Sequence, residues 1–284
     1  MTHATLDINR YFSALTRDVE GIWLANAGAE VSYPEGGHAA CLQVEDSSFW
    51  FRHRNRCIAA AASRYLNPIE GPIFDVGGGN GFVARGLEEA GFEVVLVEPG
   101  IEGARNARRR GLSHVVCATT DSCGFQLRSA PAIGLFDVVE HIEDDKAFLE
   151  SMAQLLVEQG RLLLTVPAHA FLWSAEDRAA GHFRRYTRSS ICAVLERSGF
   201  SIDHAGYIFR PLLLPILLMR AIPYRLGLSR PADPARAAAA DHAVKGGAVA
   251  SWLERILSGE VKSISRGKAI AFGASILVVA RSCR

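Results

Sequence analysis

The segment Asp75-Val-Gly77-Gly78-Gly79-Asn80-Gly81 constrains this chain more than any other. The apolar run Ile73-Phe74-Asp75-Val76 leads into it as a buried strand would, and Phe82 to Ala90 follows with helical periodicity up to Gly91 at the C′ position. A strand that ends in glycines and opens into a helix is the first turn of a parallel βαβ unit. Ligands bind to such sheets outside the carboxyl ends of the strands. Glycines there let the backbone approach a ligand closely and adopt dihedrals closed to other residues. Their spacing separates ligand classes. A dinucleotide fingerprint needs glycines at 77, 79 and 82, but position 82 is Phe82, and the Lys-Ser/Thr ending of a P-loop is missing. A tight turn that holds no ligand is the plain alternative. Glu98 closes the next strand, where a carboxylate can accept hydrogen bonds from both hydroxyls of a ribose.

The alternation continues down the chain. Strands are expected at Glu93 to Val97, His114 to Cys117, Ala132 to Phe136, Arg161 to Val166, Ser201 to Ile208 and Ser275 to Ala280. Helices are expected from Ile101 to Arg110, from a cap at Asp144 or Asp145 to Gly160, and from Arg188 to Ser198 behind a Thr187 cap. This pattern specifies an α/β, doubly wound sheet with helices on both faces. Residues 1–70 read as an N-terminal helical extension or lid. Residues 71–284 read as the sheet domain, with an insertion at 210–270 made of an apolar segment, a flexible proline- and alanine-rich middle and a helix near Ala248 to Leu257.

With 49% apolar and 21% charged residues, the chain is expected to be an ordinary globular protein. Its formal net charge of +1 argues against a nucleic-acid partner. The six cysteines form no C-x-x-C pair and fit no zinc pattern, as reduced thiols of a cytoplasmic protein would. Met1 to Arg10 lacks the apolar stretch of a signal peptide. The runs Pro211 to Met219 and Ala269 to Ala280 fall short of the ~20 residues that span a bilayer.

Taken together, Phe74-Asp75-Val-Gly-Gly-Gly-Asn-Gly81, Glu98 and Phe136-Asp137-Val-Val-Glu140-His141 resemble the class I S-adenosylmethionine-dependent methyltransferases. The similarity is to the branch with a D-V-L-E-H-like segment after the fourth strand, and extends through Thr165-Val-Pro-Ala168, Phe171-Leu-Trp173 and Gly181-His-Phe-Arg-Arg-Tyr-Thr187. The resemblance implies a Rossmann-like seven-stranded sheet with its last strand antiparallel. It implies that Gly77, Gly78, Gly79 and Gly81 pass beneath the cofactor and that Asp75 helps hold its ammonium group. Glu98, with Pro99 beside it, would take the ribose hydroxyls; Thr119 or Asp121 would lie near the adenine; Asp137 would line the methyl-transfer site.

Transfer to a hydroxyl needs a base with proton-accepting geometry. The candidates are His141, His182 and His169, with Asp137 and Glu140 behind them. Asp137, Glu140 and His141 stand at i, i+3 and i+4, which can converge on one helical face. The ubiquinone-pathway O-methyltransferases and the small-RNA terminal 2′-O-methyltransferases carry a similar segment that binds a divalent ion. A metal is not expected here; were one held, Asp137, Glu140, His141 and His182 would hold it. Trp50 and Arg54 on a helix running to Tyr65, and the cluster Arg184-Arg185-Tyr186, are the candidate substrate residues, since paired arginines can grip a carboxylate or phosphate.

The expected activity is S-adenosylmethionine-dependent methyl transfer to an oxygen of a small molecule, either lipid-linked, a saccharide or a secondary metabolite. A non-catalytic cofactor-binding scaffold and a nicotinamide-dependent oxidoreductase are the alternatives. The apolar stretch 209–226 has three outlets: packing on its own domain, a homodimer interface, or the inner face of a membrane with arginines at the headgroups.

Overall fold

A computed structural model of the chain describes residues 6–25, 41–42, 44–228 and 248–283. It contains one mixed sheet of nine strands, β1 (Leu15–Arg17), β2 (Trp23–Ala25), β3 (Ile73–Val76), β4 (Val94–Val97), β5 (His114–Cys117), β6 (Ala130–Phe136), β7 (Leu156–Pro167), β8 (Phe200–Ile208) and β9 (Ser275–Ser282). Their order is β1-β2-β5-β4-β3-β6-β7-β9-β8. Strands β3 to β7 are parallel, and β9 runs antiparallel between β7 and β8. The expected seven strands and their antiparallel last member are all present. The two additional strands come from the N-terminal region. There β2 pairs parallel with β5 and β1 antiparallel with β2, so this region is not helical throughout.

The helices are α1 (Phe49–Tyr65), α2 (Phe82–Glu89), α3 (Ile101–Arg109), α4 (Asp145–Leu155), α5 (Ala175–Ala180), α6 (Arg188–Arg197), α7 (Leu213–Ile216), α8 (Ile222–Arg225) and α9 (Ala248–Ser265). Their ends follow local chemistry. Ser48 accepts from the N–H groups of Trp50 and Phe51 at the start of α1, and Asp144 accepts from Ala147 at the start of α4. Such caps contribute about 1 kcal/mol each. Thr187 and Ser190 form a reciprocal box at the start of α6. Gly160 does not end α4 as expected. The helix stops at Leu155, and Gly160 lies inside β7, following Gln159 at a φ of 61° and beside a register shift at Ala130/Ala132. The last helix of the insertion runs to Ser265, well past Leu257. The insertion's middle, expected to be flexible, lies outside the described residues.

Alternation along the strands builds two cores. Phe74, Val76, Ile133, Leu162, Leu164 and Val278 face one way, against Leu149 and Met152 of α4 and Ile191 and Leu195 of α6. Ile73, Leu96, Leu163 and Leu277 face the other, against Ile58 of α1, Leu87 of α2, Ala107 of α3 and Leu257 of α9. With both faces covered, the carboxyl ends of β3, β4 and β6 are left to build a site.

Candidate active site

The glycine loop turns as its sequence requires. Gly77, Gly79 and Gly81 have φ of 72°, 55° and 76°, the left-handed region that other residues rarely adopt. A Cβ on Gly78 would lie 2.6 Å from Asp75 Oδ2 and 2.3 Å from Leu96, so the loop rests directly on the carboxylate beneath it. Asp75 is fully buried, and neither of its oxygens has a hydrogen-bond partner. Burial pushes its pKa up to about 7, with Glu98 adding to the rise and Arg54 opposing it. A buried carboxyl left in this state is costly unless a cation comes to meet it.

Glu98 is held from both sides. The N–H of Gly79 donates to Oε2 at 2.8 Å, and that of Gly100 donates to Oε1 at 2.7 Å. A carboxylate offers about four acceptor positions. Thr119 hydrogen-bonds Ser122 at the end of β5, whereas Asp121 is exposed beyond it. Pro99 is half-buried, and its carbonyl faces the Cys117 thiol.

A network that sequence reasoning missed closes over the loop. Asn80 is 2% exposed, donates to Glu45 at 3.2 Å and accepts from Asn106 at 3.0 Å. Arg110 binds the Asn80 carbonyl and both Glu45 and Asp46. Its guanidinium also stacks over Phe82, 5.2 Å from the ring centroid. The segment at 44–47 is thus tied to the glycine loop through Glu45, Asn80 and Asn106, buried polar groups far apart in sequence.

At the end of β6, Asp137 has a φ of 58°, a strained conformation for a residue with a side chain. Thr165 locks it there. Its hydroxyl donates to Asp137 Oδ1 at 2.8 Å, while the Asp137 N–H donates to the Thr165 carbonyl at 3.0 Å. Asp137 Oδ2 accepts from Arg54 of α1. The Arg54 guanidinium lies 4.8 Å from the Trp50 ring centroid and 5.3 Å from that of Phe51, and the residue is buried. Sequence reasoning placed Trp50 and Arg54 with the substrate. The structure brings Arg54 to Asp137 and stacks Trp50 flat on Phe209, centroids 5.2 Å apart.

Beside Asp137, the turn Val139–His141 presents Glu140 and His141 to His182. One ligating atom from each of Glu140, His141 and His182 lies within 4.8 Å of the others, and the two imidazoles meet edge-on, centroids 4.7 Å apart. Glu140 is 1% exposed, and its Oε2 lacks a partner. Burial, reinforced by the Asp137 carboxylate, pushes its pKa well above the usual range. Burial and the neighbouring His182 bring the pKa of His141 down to about 4, so it is neutral at pH 7.

Asp177, which sequence reasoning also missed, organises the far side. It is buried and accepts from the Ser174 N–H and hydroxyl, from Arg185 Nε at 2.7 Å and from His182 Nδ1 at 2.9 Å. Burial would raise its pKa, but hydrogen bonds from His182 and Arg185 outweigh that and hold it down at about 2. An ionised carboxylate on Nδ1 fixes the His182 tautomer and leaves Nε2 as an acceptor.

Arg184 and Arg185, expected to grip a substrate anion, both hold protein groups. Arg184 binds Asp145 at 2.8 Å and the Glu143 carbonyl, while Arg185 binds Asp177 and the Ala168 carbonyl. Tyr186 is 3% exposed and donates to Asp145 at 2.8 Å, and this bond and its burial raise the phenol's pKa. These three residues pin the 182–186 loop against the site. The loop carries no strand or helix periodicity that would have shown which acids they meet. His169 stacks between Phe171 and Tyr207, with centroids 4.9 and 5.0 Å away.

Comparison with known proteins agrees with this architecture. A family model described as a methyltransferase domain matches residues 50–205. A ubiquinone biosynthesis O-methyltransferase of Xanthomonas axonopodis pv. citri (strain 306) is 22% identical over 169 residues, 52% of this chain and 71% of that protein. Among solved structures, phosphoethanolamine N-methyltransferase 2 of Haemonchus contortus, in complex with S-adenosyl-L-methionine, superposes with a TM-score of 0.55 at 18% identity. It covers 90% of this chain and 59% of its own. An S-adenosylmethionine-dependent methyltransferase of Thermotoga maritima superposes with a TM-score of 0.51 at 14% identity, over 87% of this chain and all of its own. With the family match spanning more than half of its length and the glycine loop, Glu98 and Asp137 at the carboxyl edge of this sheet, the chain belongs to the methyltransferase domain family and is built as a class I, S-adenosylmethionine-dependent methyltransferase.

Proposed function

We propose that this methyltransferase acts on a hydroxyl of a small-molecule acceptor in the cytoplasm, with His182 as the general base. The observation that carries the reading is the His182–Asp177 pair, a histidine oriented by a buried, ionised carboxylate and facing a second, neutral histidine next to Asp137. The same triad logic orients bases in many acyl-transfer enzymes.

The residues fit the cofactor. Asp75 supplies an unpartnered buried carboxyl under the loop, the glycines leave the backbone bare, and Glu98 is positioned for ribose hydroxyls. When bound, the cofactor supplies a methyl group on a sulfonium whose departure leaves a neutral thioether. The protein's own task is then alignment and proton removal. Asp137, fixed by Thr165 and Arg54, shapes the wall where the acceptor oxygen comes to rest, and His182 Nε2 takes the hydroxyl proton.

Asp75 makes binding pH-dependent. In the free protein its pKa is about 7, and a bound ammonium lowers it. Affinity for S-adenosylhomocysteine therefore rises with pH up to about 7 and levels off above it, as long as the ligand's own amino group stays protonated. Calorimetry across this range should show the rise in the native protein. In Asp75→Asn the acid limb should be flat and the affinity about tenfold weaker at neutral pH.

A second reading rests on the donor set. Glu140, His141 and His182 suit a divalent ion, with Asp177 supporting the far nitrogen of His182, whereas Asp137 is already taken by Arg54 and Thr165. Such an ion would supply a Lewis acid for the hydroxyl. One experiment separates the readings. The enzyme is incubated with methyl-labelled S-adenosylmethionine and fractionated host extract, with and without excess chelator, and the product is analysed by mass spectrometry. Label on oxygen in both arms supports the base; label lost with chelator supports the ion; label on nitrogen or carbon overturns the hydroxyl assignment.

A further inference from the structure

The segment that leaves β8 at Phe209 forms a helical arm with two unlike faces. It runs through α7, a π-helical turn at Leu217–Ala221 and α8. Leu212, Leu213, Ile216 and Leu217 pack on the α1 side of the sheet, and Ala221 is fully buried. Leu214, Leu218, Met219, Leu226 and Leu228 point outward, 60% to 76% exposed, with the half-exposed Ile222 completing a ridge at spacings of four. Burial of apolar side chains is the usual outcome, and a continuous exposed ridge marks a surface with a partner.

Charge decides between partners. From Ala205 to Ala232 the chain has no acidic residue and four arginines, Arg210, Arg220, Arg225 and Arg230. Arg225 is exposed at the end of the ridge, where it donates to the Phe171 carbonyl at 2.9 Å. Arg210 is paired with Glu260 and Arg220 is half-buried near Glu176 and Asp177, so among the described residues the charge left exposed on the arm is Arg225, and a two-fold contact between copies would set that basic end against its own image. An anionic lipid surface offers both an apolar layer for the leucines and phosphates for the exposed Arg225. The arm is about 20 Å long at 1.5 Å per residue, suited to lying in the headgroup plane. No helix among the described residues is long and apolar enough to cross a membrane.

We propose that this ridge docks the protein on an anionic lipid surface. The root of the arm is rigidly tied to the site. The Phe209 and Arg210 N–H groups donate to the buried Glu260 at 2.8 Å each, Glu260 is bonded to His53 at 2.9 Å, and one residue on from His53 stands Arg54, the partner of Asp137. Resting on the proposed function, docking would bring the hydroxyl acceptor to the site from the lipid surface, which makes it a lipid-borne one.

The test is sedimentation of the full chain with vesicles of phosphatidylcholine alone and of phosphatidylcholine with phosphatidylglycerol. The protein should pellet with the anionic vesicles, less so at high salt, and the double variant Leu218→Glu, Met219→Glu should bind them about tenfold more weakly. Both proteins should bind S-adenosylhomocysteine equally, which shows that the variant is folded and separates failure of docking from failure of the cofactor assignment. Native protein left in the supernatant with both vesicle types would overturn the proposal. So would light scattering that shows a dimer which the double variant dissociates, since the ridge would then pair two copies.

Discussion

Replacing Gly79 with arginine leaves a folded protein that no longer binds S-adenosylhomocysteine. Gly79 sits at a φ of 55° in the middle of the cradle, and its N–H is one of the two that hold Glu98. Any side chain there occupies the space a ligand must enter, and a non-glycine residue in this conformation costs roughly 1–3 kcal/mol. That strain is small against a fold whose β3 and β4 are buried throughout, so the loss falls on binding. The drop should exceed about 100-fold, or about 2.7 kcal/mol. Calorimetry checks it, with a thermal melt as the control for folding. Binding by the variant within a few-fold of the native protein would show that the cofactor lies elsewhere.

His182→Gln should lower kcat about 10²- to 10⁴-fold on the acceptor identified by the labelling experiment, the range typical of a lost general base. Glutamine keeps a polar group near Asp177 but offers no basic nitrogen, so S-adenosylhomocysteine should bind as before. Asp177→Asn should reach a similar kcat loss by another route. It removes the charge that fixes the His182 tautomer and leaves Arg185 without its acid, so its thermal midpoint should also fall. The pair distinguishes a base from a packing residue. A structural role for His182 would lower stability and leave the activity of the surviving folded protein intact.

The sheet was legible because its strands are short apolar runs closed by glycines, and Gly91, Gly111 and Gly199 end their helices at φ above 90°. Strands β1 and β2 were not legible. Each has three residues with no buried member; β2 exists by pairing along the edge of β5, and β1 by pairing with β2. The end of α4 was misread because Gly160 looks like a helix stop, whereas the chain switches to strand at Leu156 through hydrogen bonding to β6. Within the site, Asp75, the glycines, Glu98, Asp137, Glu140, His141 and His182 were visible as residue types at telling positions. Their partners were not. Thr165 lies 28 residues from Asp137, Glu45 35 from Asn80, and Glu260 207 from His53, and no local period links them.

The site also collects the molecule's departures from local preference. Asp137 carries a side chain at positive φ, Asp75 and Glu140 hold buried oxygens without partners, and His141 is kept neutral by its surroundings. Such violations cost stability and concentrate where a ligand is to be met. They surround one edge, from the glycine loop across the end of β6 to His182.

The most direct test of that placement is calorimetric titration of the native chain with S-adenosylhomocysteine and with NAD in parallel. A class I methyltransferase binds the first with a stoichiometry of one and gives no signal with the second. Binding of NAD alone, or of neither ligand, would contradict the account.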